Sequence, residues 1–309
     1  MSEALSRVVP REASGSRLDR FLATQLGVTR TELQRWIAAG RVTVNGAVRG
    51  ASASVREGER VDVQPMERAA SEAQAEEGIA FDVLYVDDDV VVVNKPPGLV
   101  VHPAKGHEGG TLVNGLLARG YFRREELDDD ARPGIVHRLD KGTSGVMVVA
   151  RTAEAREELK AQFQAHTIER AYEGIVVGEA RDATFDTLHG RHPQDRMRFT
   201  TRVKAGKRAV TRVRVIARLH GATHVGCTLE TGRTHQIRVH LAESGTPVLG
   251  DPVYGRAPRD ARVKAVGERL GHQALHARVL GFVHPTTGKR VRFEVEPPPD
   301  FGEALEALR

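Results

Sequence analysis

Two segments hold the residue types that could do chemistry. The first, His137-Arg138-Leu139-Asp140-Lys141-Gly142-Thr143-Ser144-Gly145, runs straight into the apolar stretch Val146 to Ala150. Glycines and small hydroxyl residues bend a chain sharply, so the Asp140 carboxylate is expected on a loop at a strand mouth. Catalytic groups commonly sit on such loops, held by a rigid scaffold. The structural alternative is that Asp140 only organises its turn by bonding nearby amides. The second segment is Leu229-Glu230-Thr231-Gly232-Arg233-Thr234-His235-Gln236-Ile237-Arg238-Val239-His240. Read as extended chain, it points Arg233, His235 and Ile237 to one face and Gln236, Arg238 and His240 to the other. On that reading His235 and His240 cannot share a metal ion. A polar edge strand is the plainer alternative for this segment.

The elements that must position these groups follow from periodicity. Strand-like runs are Val90 to Asn94, Val146 to Ala150, Ile168 to Val177, Thr211 to Ala217, Val225 to Glu230 and Gln236 to Leu241. One clear helix spans Ala153 to His166, with Leu159 and Phe163 four residues apart. Strands joined by both hairpin-sized and long connections imply an α+β domain with a mainly antiparallel mixed sheet flanked by helices. Ahead of it lies a small module. Ser16 with Asp19, and Thr29 with Glu32, have capping-box spacing. Leu18, Phe21, Leu22 and Leu26 form one helical stripe, and Leu33, Trp36 and Ile37 form a second that ends at Gly40. Val42 and Val44, the Asn45-Gly46 turn, and Val61 and Val63 then make a short β-unit. Residues 64–78, rich in Ala and Glu, read as a linker. The expected division is therefore 1–64, a linker over 65–78, and a large domain over 79–309.

Composition narrows the classes. The chain has 309 residues, 40% hydrophobic and 28% charged, with a net charge of +5 and a pI near 9.5. No apolar run approaches a membrane span, and Met1 to Arg17 lacks a signal-peptide core. The single cysteine, Cys227, excludes a disulfide framework or thiolate cluster within one chain and fits a reducing cytoplasm. Between Arg181 and Arg218 eleven basic residues face three acids, Asp182, Asp186 and Asp195. Such a stretch is either a solvated face or a contact for a polyanion. Nothing has the form of a Walker loop, and the histidines lack metal-ligand spacing, so neither cofactor nor metal is expected.

The two chemistry-bearing segments, taken together, resemble the RluA family of pseudouridine synthases. Val93-Asn94-Lys95-Pro96-Pro97-Gly98-Leu99-Val100-Val101-His102-Pro103, Glu169-Arg170-Ala171-Tyr172 and Gln273-Ala274-Leu275-His276-Ala277 extend the likeness, in the family's order, over roughly Phe81 to Phe301. The first sixty-odd residues resemble an S4 RNA-binding domain, which points to the RluD branch. The sister RsuA family, usually lacking the histidine before its RLD motif, fits less well.

The resemblance implies an isomerase that detaches uracil from ribose and re-attaches it through C5. Asp140 carries over as the essential carboxylate, either attacking C1′ or removing a 2′ proton. Arg233 carries over as the arginine paired with that aspartate, and Tyr172 as the tyrosine stacked on the target base. Arg138 would fill the gap left by the flipped nucleotide, Ile237 would wall the base, and His137 and Lys141 would contact RNA, Lys141 through a phosphate. In the S4-like module Arg17, Arg20, Arg30, Arg35 and Arg41 are the implied RNA contacts, with Thr31 and Gln34 behind them. The implied partner is ribosomal RNA, or the assembling large subunit, ahead of tRNA or small-subunit RNA, and a monomer is expected. Gly142 stands where many relatives carry Asp. Two rivals remain at this level. One is a glycosidase on Asp140, although Asp128, Asp129 and Asp130 read as a solvated loop rather than its second carboxylate; a serine hydrolase on Ser144 lacks the nucleophile elbow. The other is a non-catalytic RNA-binding or assembly factor.

Overall fold

A computed structural model describes residues 4–28, 30–66, 73–103, 109–121, 134–195 and 197–309. Thr29, the Thr31 side chain, the centre of the expected linker (67–72), Asp128, Asp129, Asp130 and Arg196 lie outside the described residues. The chain forms two compact units, Met1–Ala70 and Ser71–Arg309.

In the first unit, strands β1 (Leu5–Val8), β2 (Val42–Val44), β3 (Ala47–Val48) and β4 (Arg60–Val63) make an antiparallel sheet in the order β1-β4-β2-β3. Helices α1 (Leu18–Leu26) and α2 (Arg30–Ala38) cover it. Leu18, Phe21, Leu22, Leu33, Trp36 and Ile37 are buried against Val42, Val44, Val61 and Val63, as the two stripes predict. Asn45 and Gly46, both at positive φ (50° and 78°), make the β2–β3 turn, as the primed hairpin turn requires. The capping box at Ser16 is not formed. The hydroxyl of Ser16 donates to the Ala13 carbonyl. Arg17 occupies the N-cap, and Asp19 is fully buried. Its carboxylate instead accepts from Arg17, Arg30 and Gln34. Those bonds, that of Arg17 first, hold its pKa well below the usual carboxylate range.

The second unit is built on a ten-stranded sheet. Its strands are β5 (Asp82–Val86), β6 (Val90–Lys95), β7 (Ser144–Ala150), β8 (Glu169–Val177), β9 (Ala183–Arg191), β10 (Phe199–Thr200), β11 (Lys207–Leu219), β12 (Ala222–Leu229), β13 (Leu275–Val283) and β14 (Arg290–Glu294). Its helices are α3 (Leu112–Ala118), α4 (Ala153–Gln164), α5 (Gln236–Glu243), α6 (Ala261–Leu270) and α7 (Pro299–Ala307). The order is β10-β9-β11-β12-β8-β13-β7-β6-β5, with β14 also on β13. Every pairing is antiparallel except β13 with β7. The α+β, mainly antiparallel expectation therefore holds.

The parallel contact is what places the Asp140 loop. Only His276 and Ala277 of β13 pair with β7, opposite Ser144 and Gly145, before β14 takes over that edge. Gly145 lies at φ 116°, and a Cβ there would overlap the Ala277 carbonyl and sit 2.6 Å from its amide nitrogen. Only glycine lets the two backbones approach this closely. Strands β6 and β7 are buried on both faces, Val90 to Val93 and Val146 to Ala150, which is why both read as continuous apolar runs.

One expected strand is a helix. Residues 236–241 were expected extended, yet they open α5. Gln236, Ile237, Arg238, Val239, His240 and Leu241 are all buried, so neither the period of a helix nor that of a strand is visible in their pattern. Gln236 fixes the helix start. Its amide oxygen accepts from Thr231 and the Arg233 N–H, and its amide nitrogen donates to the Val210 carbonyl and Thr211. The two-face assignment drawn from an extended segment falls with it.

Candidate active site

The Asp140 loop, β8 and the β12–α5 connection enclose a cleft of about 530 Å³. Arg138, Asp140, Arg170, Tyr172, Arg233, His235, Ile237 and Arg238 are among its lining residues. The loop is tied down from beneath. The Lys95 side chain is fully buried, and its ammonium donates to the carbonyls of Pro96 (2.8 Å), Leu99 (2.8 Å) and Lys141 (3.1 Å). Burial pushes its pKa down to about 7 against the pull of Asp140, while three acceptors call for all three ammonium hydrogens. The Thr143 N–H closes the turn on the Asp140 carbonyl at 3.0 Å.

The guanidinium on Asp140 belongs to Arg238, not to Arg233. Arg238 Nη1 donates to Asp140 Oδ2 at 2.8 Å, while its Nε and Nη2 form a two-point pair with Asp251 at 2.7 and 2.8 Å. The helical turn aims residue 238 at the Asp140 loop, where an extended chain would have aimed it away. Burial alone would lower the Arg238 pKa, but the pairing with Asp251 and Asp140 outweighs it and raises it. Burial likewise opposes ionisation of Asp251, yet Arg238 and the N–H groups of Val253 and Tyr254 leave its pKa lowered. Asp140 thus faces a fixed, permanently charged partner. Arg233 lines the same cleft from its side, with Nε donating to the Arg208 carbonyl at 3.0 Å.

A histidine completes the carboxylate's surroundings. His235 sits in the left-handed region (φ 60°) at the N-cap of α5, with Nε2 3.7 Å from Asp140 Oδ1. Its Nδ1 is 2.9 Å from the Tyr254 hydroxyl, which also accepts from the Phe199 N–H at 2.8 Å. If the hydroxyl gives its proton to Nδ1, the imidazole proton lies on Nε2, toward Asp140. Burial lowers the His235 pKa despite the Asp140 charge.

Tyr172 reaches the cleft from β8. Burial, then the neighbouring Asp140, raise its pKa, so its ring enters as a neutral, flat surface. Ile237 adds an apolar wall. Arg138 is exposed at the rim, its Nη1 3.4 Å from His102 Nε2. His137 points inward and serves the fold. Its Nε2 accepts from the Val148 N–H at 3.1 Å, and its ring stacks on Phe163 at 4.6 Å. Burial, then Arg170, push its pKa down to about 3, so it is neutral, and the ring also lines the cleft. Lys141 is exposed but not among the residues lining the cleft. Gly142 packs against Gln273, whose side-chain carbon would lie 2.8 Å from a Cβ. Gln273 donates there to Thr143.

Of the expected contacts in the first unit, Arg17 and Arg30 are ion-paired with Asp19 through exposed guanidiniums, and Arg41 donates to Gln64. Arg20 is exposed and Arg35 half-buried. The basic 181–218 stretch forms β9, β10 and β11, where Arg208 pairs with Asp186 and Glu230 and Arg212 with Glu230. Buried Cys227, pushed up to about 12 by burial, is not a nucleophile. Asp87, Asp89 and His284 bring donor atoms within 4.8 Å of one another, but Asp87 is occupied by the Asp89 and Val90 amides, Tyr85 and His284.

A carboxylate gripped by an arginine in a cleft with a flat aromatic, on a mainly antiparallel α+β sheet, has the layout of an enzyme active site. The family of RNA pseudouridylate synthases matches residues 89–243, and the S4 domain matches residues 16–61. The chain is 45% identical over 318 residues to ribosomal large subunit pseudouridine synthase D of Neisseria meningitidis serogroup A, covering all of this chain and 83% of that one. It is 44% identical over 318 residues to the protein of that name from Pseudomonas aeruginosa, covering 100% and 98%. A solved human structure, RNA pseudouridylate synthase domain containing 4, superposes with a TM-score of 0.57 at 26% identity, over 73% of this chain and 92% of that one. The chain belongs to the RNA pseudouridylate synthase family and carries an S4 domain. It is an isomerase.

Proposed function

We propose that this enzyme isomerises uridines of large-subunit ribosomal RNA, with Asp140 acting on the ribose of a flipped-out nucleotide. The observation that carries the reading is the single acid of the cleft: among its described lining residues Asp140 is the only carboxylate, and Arg238 donates to it at 2.8 Å. Hydrolysis of a glycosidic bond ordinarily divides its work between two carboxylates. An isomerisation needs one, plus an enclosure that keeps the detached uracil from escaping. The N1–C1′ bond breaks, the C5–C1′ bond forms, the C5 proton leaves and N1 regains one, with no change in mass.

Flipping the base costs roughly a few kcal/mol, and stacking on Tyr172 returns about 1–3 kcal/mol. Phosphate contacts supply the rest, without reading sequence; Arg138 at the cleft rim, the exposed Lys141, the 181–218 strands and the arginines of the S4 domain are the candidates for them. We assign residues 1–64 to RNA binding, 65–78 to a linker and 79–309 to catalysis. The protein works as a cytoplasmic monomer on ribosomal RNA or the assembling large subunit; the names of the two bacterial relatives support the large-subunit ribosomal RNA. No helix among the described residues is long and apolar enough to cross a membrane.

The test is pseudouridine mapping of total RNA, by carbodiimide labelling and reverse transcription, from cells with and without the gene. Stops that vanish from a large-subunit loop and return with the intact gene, but not with Asp140→Ala, are expected. A map that changes only in tRNA or small-subunit RNA would reject the substrate, and an unchanged map would reject the activity.

A further inference from the structure

We propose that Arg170 and Arg233 form a seat for the phosphodiester attached to the target ribose, so that the cleft grips the nucleotide by its backbone as well as its base. The inference rests on the RNA reading above and names a contact within it.

Arg170 stands two residues before Tyr172 on β8, so both side chains share one face of the sheet, and both line the cleft. It is 6% exposed, yet no carboxylate lies within ion-pairing distance among the described residues. Its Nη2 donates to the Glu230 carbonyl at 2.8 Å. Its Nε is buried with no acceptor, and Nη1 has no hydrogen bond within the described residues. Buried charges in folded proteins are paired or hydrogen-bonded almost without exception, because leaving one unpaired is costly. The Phe163 ring, 5.6 Å from the guanidinium carbon, offsets part of this.

The β12–α5 connection is shaped around the same group. A Cβ on Gly232 would lie 2.5 Å from Arg170 Nη1, so glycine is what admits the guanidinium against the turn. The next residue is Arg233, whose Nε is held by the Arg208 carbonyl and whose terminal nitrogens have no protein partner among the described residues. Burial, and the Arg233 charge with it, lower the Arg170 pKa. Two cations therefore line one wall of a cleft whose only described acid, Asp140, is taken up by Arg238. The missing partner is an anion. The anionic group of RNA is the phosphodiester, and its two non-bridging oxygens match guanidinium forks.

The test uses synthetic RNA stem-loops spanning the mapped uridine, with one methylphosphonate replacing the phosphate on its 5′ or its 3′ side. Binding is read by fluorescence anisotropy, which needs no turnover, and product formation separately. For the wild-type protein, neutralising one of the two linkages should weaken binding about 10- to 100-fold, the range of a charged hydrogen bond. Arg170→Met should weaken binding of unmodified RNA by a similar factor and then be nearly indifferent to that methylphosphonate. Arg170→Lys, which keeps the charge, should retain part of the sensitivity and carries the comparison if the methionine variant does not fold. Equal methylphosphonate penalties in wild type and variants, or no penalty at either linkage, would overturn the seat and leave the guanidinium to a uracil carbonyl or to the fold. Coupling in binding without any pseudouridine formed would keep the seat and sink the functional reading instead.

Discussion

Replacing Arg238 with methionine removes the only cation that Asp251 touches among the described residues. The Asp251 side chain is fully buried and that of Arg238 is 4% exposed, so the variant strands a carboxylate away from water. Losing one member of a buried pair costs about 3–5 kcal/mol; the Val253 and Tyr254 amides still bond Asp251, which places the loss near the lower end, about 3 kcal/mol. The pH dependence has a definite sign. In the wild type Asp251 has a lowered pKa. Without Arg238 burial prevails and its pKa rises above the unfolded value of about 4. The destabilisation is then small only below the lowered folded pKa of wild-type Asp251 and grows as pH rises, by up to about 1.4 kcal/mol per unit until Asp251 ionises in the variant. Urea unfolding followed by far-UV circular dichroism at pH 4.5 and 7.5 measures it. Trp36, the single tryptophan, belongs to the first unit, so its fluorescence transition should not move. Adding Asp251→Asn should recover most of the stability but not the turnover, which falls at least about 100-fold because Asp140 has lost its fixed partner. A loss below about 1 kcal/mol, or one identical at the two pH values, would refute this account of the pair.

Three further outcomes follow from the geometry. Lys95→Met should cost about 1–3 kcal/mol, because three partly buried carbonyls lose their donor; it should lower turnover more than RNA affinity, read as a kcat against KM split. Gly145→Ala should destabilise by more than about 3 kcal/mol, or prevent folding, since its φ of 116° and the Ala277 backbone both exclude a Cβ; a near-neutral melt would contradict the β7–β13 contact. Removing residues 1–65 should leave the second unit folded by circular dichroism and weaken RNA binding with a smaller salt slope, and loss of that fold would reject two independent units.

The parts of the fold legible in the sequence were those whose burial matches their period. Strands β6 and β7 are apolar on both faces, α4 carries Leu159 toward the core, and Asn45-Gly46 dictates a turn. Strand β9 escaped notice because alternate residues, Thr184 and Asp186 among them, face solvent, and β13 because His276, Arg278 and Gly281 interrupt its apolar pattern. The misread element mattered most. Burial on all sides erased the helical period of α5, so Arg238 was read on the wrong face, and the pairing with Asp140 was given to Arg233 on the family resemblance alone. Asp251, Tyr254 and Arg170 were missed because their partners lie far away in sequence. The Asp251-Pro252 turn signal was the one local hint of the first two. Asp140 and Tyr172, which line one cleft, could be singled out because the segments around them are short, dense and contiguous.

The central claim is that Asp140 isomerises uridine rather than hydrolysing it, and tritium at C5 tests it most directly. Large-subunit RNA transcribed with [5-³H]uridine should release tritium to water when treated with the purified protein, with no free uracil formed. Asp140→Asn, folded as the wild type, should release it at least about 10⁴-fold more slowly. Free uracil, or tritium release that persists in Asp140→Asn, would contradict the account.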